Sequence, residues 1–367
     1  MKCAVVGGGI IGLSIAWRLA GRGVDVEVHD AGVPGAWFVA AGMLAAGNEA
    51  TWESRELGAL MRESARRWPG FAASLGLPVP EGGTLVVALT ADDAAEAGRE
   101  WDRRPAGEPA GGCEWDRRPA GEPAGGRERD RQPAAEPEGG RGGGRLGPSA
   151  LRELEPALSP RVRAGCHLPD DRQVDPRKVV AALRERLPLV PGTVEDLGSL
   201  DADQVVVAAG TGTAALTGLP VRPVKGELLR LRGEPGLLRH VISGYADGRR
   251  VYLVPRADGE IVVGATQDER TDDTVTAGAV LDLLRAAIDL VPALADCAIT
   301  ETLAGHRPST PDNAPLLGRL DDRTVVAAGH HRNGVLLAPV TADLIADLVV
   351  TGTAGPLLEP FAPGRFA

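Results

Sequence analysis

Three glycines, Gly7, Gly9 and Gly12, stand between an apolar run ending at Val5-Val6 and an amphipathic stretch from Leu13 to Ala20. That order constrains the chain more than anything else in it. Buried strand, tight turn and helix follow one another; Gly7 suits the turn, Gly9 lets backbone approach a pyrophosphate, and Gly12 lets the helix lie close on the strand. Gly21-Arg22-Gly23 stops the helix, and a second strand, Val24–Asp30, ends in a carboxylate placed to hold a ribose hydroxyl pair. Ile10 and Ile11 open the helix where its amides and dipole favour a phosphate, and Ala31 follows Asp30 at the cofactor edge. The fingerprint predicts a dinucleotide and leaves FAD and NAD open.

Charge narrows the partners. A formal net charge of -10 and no sustained basic face argue against nucleic acid or an anionic membrane, so a small molecule is the expected partner, with homo-oligomerisation left open. Cys3, Cys113, Cys166 and Cys297 have no metal-like spacing and no motif for covalent flavin attachment. The first strand begins by residue 3 and no uninterrupted apolar run spans a bilayer, which makes the reducing cytoplasm the expected location.

From Glu100 the segment EWDRRPAGEPAGG recurs fourteen positions on, at Glu114, and again degenerately from Glu128. Each unit is mostly Pro, Gly, Ala and charge, so stacked copies could bury no continuous core. Residues 100–144 are read as a flexible surface insert; closure entropy grows slowly with loop length, so it costs little stability. Trp101 and Trp115 leave a docking role for it as the second reading.

Elsewhere strands and helices alternate. Leu85–Leu89 and Asp203–Ala209 read as buried strands, the second running into a glycine turn at Gly210, and Pro176–Leu187 reads as a helix. Leu228–Arg232, Arg250–Pro255 and Glu260–Ala265 form an antiparallel meander. Thr324–Gly329 is a last buried strand, with a helix from about Ala338 to Val349. The fold class is therefore α/β: a Rossmann-like dinucleotide domain with an interleaved, mostly antiparallel α+β substrate domain. The expected division gives 1–75, 151–222 and 306–367 to the first and 76–150 and 223–305 to the second.

With these motifs in place the chain resembles the glycine oxidases of the D-amino-acid oxidase superfamily. The resemblance rests on the collinear segments Gly7–Gly12 with Asp30, AAGML (40–44), PVKGE (223–227), YLVPR (252–256), VVGAT (262–266), GHRPSTPD (305–312) and GHHRNGVLLAP (329–339). It implies non-covalent FAD, a small amino-acid substrate and molecular oxygen. It implies that Arg307 binds the substrate carboxylate, for which a guanidinium offers two parallel donors, with Tyr252 assisting through its hydroxyl and Arg332 ordering the pocket. It further implies that Ala36, Trp37, Ala41, Gly42 and Met43 pass the flavin ring, and that Val194 touches adenine. Ala209 and Gly210 belong to the returning strand, and His330, His331, Asn333, Gly334, Val335 and Leu336 lie at the flavin edge, where amides meet negative charge.

The chain departs from that pattern at Arg250, Gln267, His331 and Ala36-Trp37-Phe38, and two of these departures place polar or cationic groups near the substrate entrance. Hydride removal from Cα asks the protein chiefly to hold Cα against the acceptor and keep the amine neutral. The two histidines are accordingly read as packing, not as an acid–base pair. The expected reaction is oxidative deamination of glycine or a similar amine to an imine and hydrogen peroxide, feeding thiamine thiazole formation or a specialised metabolite. Two alternatives stand beside it: a sarcosine-type or D-amino-acid oxidase or dehydrogenase, and a non-catalytic flavin-binding interaction module.

Overall fold

The computed structural model describes residues 1–49, 54–102 and 145–366. The repeat from residue 103 onward, with the expectations attached to it, lies outside the described residues. Its first three residues, Glu100–Asp102, close a helix that starts at Ala91.

The strand Lys2–Val6 lies between two parallel neighbours, Asp25–Asp30 and Gln204–Val207. A strand covered on both faces must be apolar throughout, which is why its sequence shows no alternation. The full order is Leu316–Arg319, Thr324–Ala328, Gln204–Val207, Lys2–Val6, Asp25–Asp30, Leu189–Pro191, and only the first pair is antiparallel. Cys3, Val5 and Val28 point to one face, under the helices Ile10–Ala20, Arg55–Ser74, Pro176–Arg184 and Gly334–Thr351. Ala4, Val6, Val205 and Val207 point to the other.

The second sheet has eight strands, in the order Ala298–Ser309, Arg222–Arg232, Glu260–Gly264, Arg249–Pro255, Val241–Ala246, Thr84–Ala88, Ala164–Leu168, Arg145–Leu146. All of its pairings are antiparallel except that of Val241–Ala246 with Thr84–Ala88. Helix Ala277–Leu290 covers one face through Leu283, Ala286, Ala287 and Leu290. Leu228, Val254 and Val262 on the opposite face meet Ala41 and Met43 from the first part of the chain. Ala164–Leu168 pairs with Thr84–Ala88, so this strand belongs with the antiparallel sheet, although its position in the chain had placed it with the dinucleotide segments. Pairing with Arg222–Arg232 carries the Ala298–Ser309 strand past residue 305.

The last helix begins at Gly334, four residues before the expected start, and contains Pro339. Proline removes an amide and crowds the preceding turn, so a sequence reading starts the helix beside it. Here helix Arg55–Ser74 repairs the gap. Ser64 donates to the Leu336 carbonyl at 2.6 Å and accepts from the Val340 amide at 3.3 Å, while Trp68 Nε1 donates to the same carbonyl at 2.9 Å. His331–Thr351 is long and apolar enough to cross a membrane, yet 67% of its apolar window is buried inside the fold. It is a core helix, with its apolar surface spent on the first sheet and on helix Ile10–Ala20.

Candidate active site

A cavity of about 1080 Å³ runs from the glycine turn to the exposed edge between the sheets. Drug-sized ligands occupy roughly 300–1,000 Å³, so this one suits an extended dinucleotide with a small molecule at one end.

At the glycine turn each residue has its own reason. Gly7 has φ +119°, and a Cβ there would stand 2.3 Å from the Ala208 carbonyl oxygen. At Gly12 a Cβ would stand 2.0 Å from the Gly7 carbonyl oxygen; Gly12 seats the helix and is the one expected cofactor residue that does not line the cavity. Gly9 is different. Its backbone is extended (φ -83°, ψ 178°), and an added Cβ would meet only the Trp37 ring, at 3.5 Å. Neither backbone angle nor a protein neighbour demands glycine there, which leaves the space beside it for a ligand. The helix it caps has no side-chain cap and no acid in its first turn, so its leading amides await an acceptor. Helix Gly334–Thr351 enters the same cavity with the same two omissions. Two uncapped helix ends fit FAD, one at the pyrophosphate and one where the reduced ring gathers negative charge.

Asp30 lies at the cavity wall against Gly8, where a Cβ would fall 2.4 Å from its Cγ, and accepts from Arg184 Nη1 at 2.5 Å. Ile10, Ile11, Ala31, Val194, Ala209 and Gly210 line the same half. Ala36, Trp37, Ala41, Gly42 and Met43 form the middle. Two arginines that the sequence reading did not single out fix that stretch. Arg177 donates Nε to the Phe38 carbonyl at 3.0 Å, lies 3.7 Å over the Phe38 ring and grips Glu301 with both Nη atoms, at 3.0 and 2.8 Å. Arg256 donates to the Ala41 carbonyl and, at 2.5 Å, to Gln173 Oε1. An arginine directly after the strand YLVP was the available signal. Gly42 turns the chain at φ +79°, with a Cβ position only 2.0 Å from the Val174 carbonyl oxygen.

Tyr252, Arg250, Arg307 and Arg332 line the same cavity, together with His330, His331, Asn333, Gly334, Val335 and Leu336. Arg307 lies across Gly226, whose missing Cβ would stand 2.5 Å from Nη2, and donates to the Lys225 carbonyl at 3.3 Å and the Thr266 carbonyl at 3.1 Å. Its plane is thus set before any substrate arrives. Tyr252 lies over Gly264, where a Cβ would come within 2.4 Å of the hydroxyl oxygen. Gly226 and Gly264, to which the sequence motifs gave no role, are the floors on which the Arg307 and Tyr252 side chains rest. Arg250 stands 5.5 Å from the Tyr245 ring centre, and Arg332 is exposed at the cavity edge. Among the described residues no group of acids, cysteines and histidines is placed to hold a metal.

Burial pushes His330 down to about 3, and its Nε2 lies 3.2 Å from Thr341 Oγ1. Burial, then Arg307, Arg332 and Arg222, push His331 down to about 4. Both rings are neutral at pH 7.

A Rossmann-like sheet whose glycine turn opens on a long cavity, closed by an antiparallel sheet bearing fixed guanidinium and phenol groups, defines a dinucleotide-dependent redox protein. The chain belongs to the FAD dependent oxidoreductase family, which it matches over residues 2–348, and FAD is its cofactor. It is 31% identical to the glycine oxidase of Geobacillus kaustophilus over 99% of this chain and 96% of that protein. A crystal structure of glycine oxidase from the same organism superposes with a TM-score of 0.80 at 30% identity, covering 99% of each chain. The bifunctional protein ThiO/ThiG of Synechocystis sp. is 39% identical over 60% of this chain, and the match spans only 37% of that protein's length.

Proposed function

We propose that the chain oxidises the Cα–N bond of glycine or a comparably small amino acid to the imine, with oxygen as terminal acceptor and hydrogen peroxide as product. The observation that carries this reading is Arg307, laid flat on Gly226 by two backbone carbonyls and facing the same cavity as the Tyr252 hydroxyl. A guanidinium so fixed presents parallel donors to a carboxylate, and the phenol adds a third. Together they hold a short α-amino acid by its carboxylate, leaving Cα to turn toward the cavity's middle.

When bound, FAD supplies the hydride acceptor. Arg177 and Arg256 keep the 36–43 segment in place along the cavity, and the buried Leu228, Val254 and Val262 exclude water from that side. The helix end at Gly334–Leu336, with no side-chain cap and no acid in its first turn, turns backbone amides to the place where negative charge collects. The relatives named for glycine oxidation and for ThiO/ThiG support glycine as substrate and iminoacetate for thiamine thiazole formation as the fate of the product. We place Arg250 at the substrate side, His330, His331 and Asn333 through Leu336 at the flavin side, and Arg332 where the two meet.

Anaerobic titration of the yellow protein with glycine, sarcosine and D-alanine tests this. Glycine bleaches the flavin band, and readmitted air restores it with one peroxide per turnover. A band that none of the three amines bleaches overturns the proposal; bleaching without peroxide in air turns it into a dehydrogenase.

A further inference from the structure

Gly226 turns its bare face to Arg307, so strand alternation turns its neighbours Lys225 and Glu227 to the opposite face of the sheet. Both are buried there, and Lys225 has 0% of its surface exposed. Burying an ammonium group is unfavourable unless its donors find acceptors, and an apolar side chain of similar volume would fill the space with a smaller penalty. Lys225 Nζ meets three acceptors: Asp272 Oδ1 at 3.0 Å, Glu227 Oε1 at 3.3 Å and the Thr274 carbonyl. Glu227 extends the grip by accepting from the Thr276 amide at 2.8 Å. The Thr276 hydroxyl in turn caps helix Ala277–Leu290.

The segment these two charges hold, residues 267–276, has a single apolar residue, Val275, and none of its side chains is buried. Apolar burial, which fixes the strands around it, contributes little here. Arg222 pairs with Glu269, but that pair is exposed to solvent and holds weakly. Charge-assisted bonds from a buried partner hold more strongly, and those come from Lys225 and Glu227.

The loop borders the substrate end of the cavity. Thr266 and Gln267 at its start line the cavity, as does Asp273, which lies 3.3 Å from Nδ1 of His306, the residue before Arg307. The loop leaves the sheet where Thr266 and Asp268 donate their amides to the Glu227 and Lys225 carbonyls, at 3.1 and 3.0 Å. This end of the ladder also carries the Lys225 and Thr266 carbonyls that accept from the Arg307 guanidinium. Ladder ends open first when the chain beyond them is loose.

We propose that Lys225 is a positioning residue of the substrate site: from behind the sheet it ties down the 267–276 loop, and so keeps in place the carbonyls that set the plane of Arg307. The proposal rests on the amino-acid oxidase reading, in which Arg307 receives the substrate carboxylate, and adds the group that prepares Arg307 for it. With the tie cut, each substrate that binds has to order the loop, so binding weakens while the reacting atoms, once bound, are unchanged.

Lys225→Met keeps the volume and removes the donors. On the FAD-loaded protein it raises KM for glycine about tenfold and leaves kcat within about twofold, the pattern of lost uniform binding. Asp272→Ala cuts the same tie from the loop side, at a partly exposed residue, and raises KM several-fold; it decides the matter if the buried variant does not fold. Acetate, a carboxylate without an amine, is titrated through its perturbation of the flavin band, and its affinity falls in both variants without any turnover. Trypsin reads the loop itself: the fragment ending at Arg270 appears several-fold faster in both variants than in wild type. An unchanged KM, a loss confined to kcat, or cleavage after Arg270 at the wild-type rate overturns the proposal. If no amine reduces wild-type flavin, the oxidase reading fails, while the acetate titration and the cleavage rate still decide the role of Lys225.

Discussion

Replacing Gly9 by alanine separates the demands of the cofactor from those of the fold. The backbone there is extended, a conformation alanine adopts freely, and the new methyl would touch only Trp37 at 3.5 Å, an ordinary contact. For the apoprotein the change removes chain freedom from the unfolded state and adds no clash, so it stabilises by about 0.4–1 kcal/mol. In a chain of this size that is a rise in Tm of about 1–3 °C. For FAD the methyl occupies the ground where a phosphate approaches backbone, and loss of one charge-assisted N–H bond costs about 1.5–3 kcal/mol. Affinity then falls by about 10- to 100-fold. Gly12→Ala is the contrasting control: its methyl would lie 2.0 Å from the Gly7 carbonyl oxygen, and a backbone-to-backbone overlap has no flexible group to yield. That variant loses on the order of 1–3 kcal/mol in the apoprotein itself. Thermal unfolding with and without FAD, with fluorescence titration of the apoprotein, reads all of these. A Gly9→Ala protein that binds FAD as tightly as wild type, or that melts lower without FAD, refutes the reasoning.

Arg307→Met removes a prepared carboxylate site and lowers kcat/KM for glycine by about 10²-fold or more at an unchanged flavin spectrum, as steady-state assays with absorbance scans would show. Gly226→Ala lifts the same guanidinium off its floor while Arg307 itself is kept; KM rises several-fold and Tm stays within about 2 °C, and an unchanged KM contradicts the geometry. Acid sensitivity should begin early: His330 and His331 hold folded-state values of about 3 and 4, below the roughly 6.5 of an unfolded chain. Their contribution is complete above pH 6.5 and drains away as pH falls toward 4, by about 1.4 kcal/mol per pH unit for each ring. His330→Gln lowers that slope in denaturant titrations between pH 6.5 and 4.5, leaving the shares of His331 and of His167, which burial also pushes down; the lowered carboxyls Asp93 and Asp312 act only below about pH 4.

Much of this was legible because it is local. Gly7 to Gly12 carry their reasons within six residues, and the apolar runs at Val5, Val205 and Val325 announce buried parallel strands. The substrate-side set was proposed through resemblance: Arg307 comes from one strand, Arg250 and Tyr252 from a second, and Arg332 from a turn, and no spacing in the chain announces that these three segments line one cavity. Arg177 and Arg256 escaped notice because their partners, Phe38, Glu301 and Ala41, are distant in sequence. The start of the last helix was placed late, at about Ala338 beside Pro339, because the remedy, Ser64 and Trp68, sits on another helix. The contact of His331 with Ser309 was not legible either, because only the folded chain brings the two together.

The place of Lys2–Val6 at the middle of its sheet has a consequence for how the protein is made. This strand leaves the ribosome before either of its sheet neighbours, and one flank stays bare until Gln204–Val207 has been synthesised. At about 5–20 residues per second that is a wait on the order of ten seconds or more with Val5 and Val6 unshielded. Synthesis in the cell should therefore lean on holding chaperones in its first half, and dilution from denaturant should be slow and prone to aggregation, as sheets assembled from distant segments are.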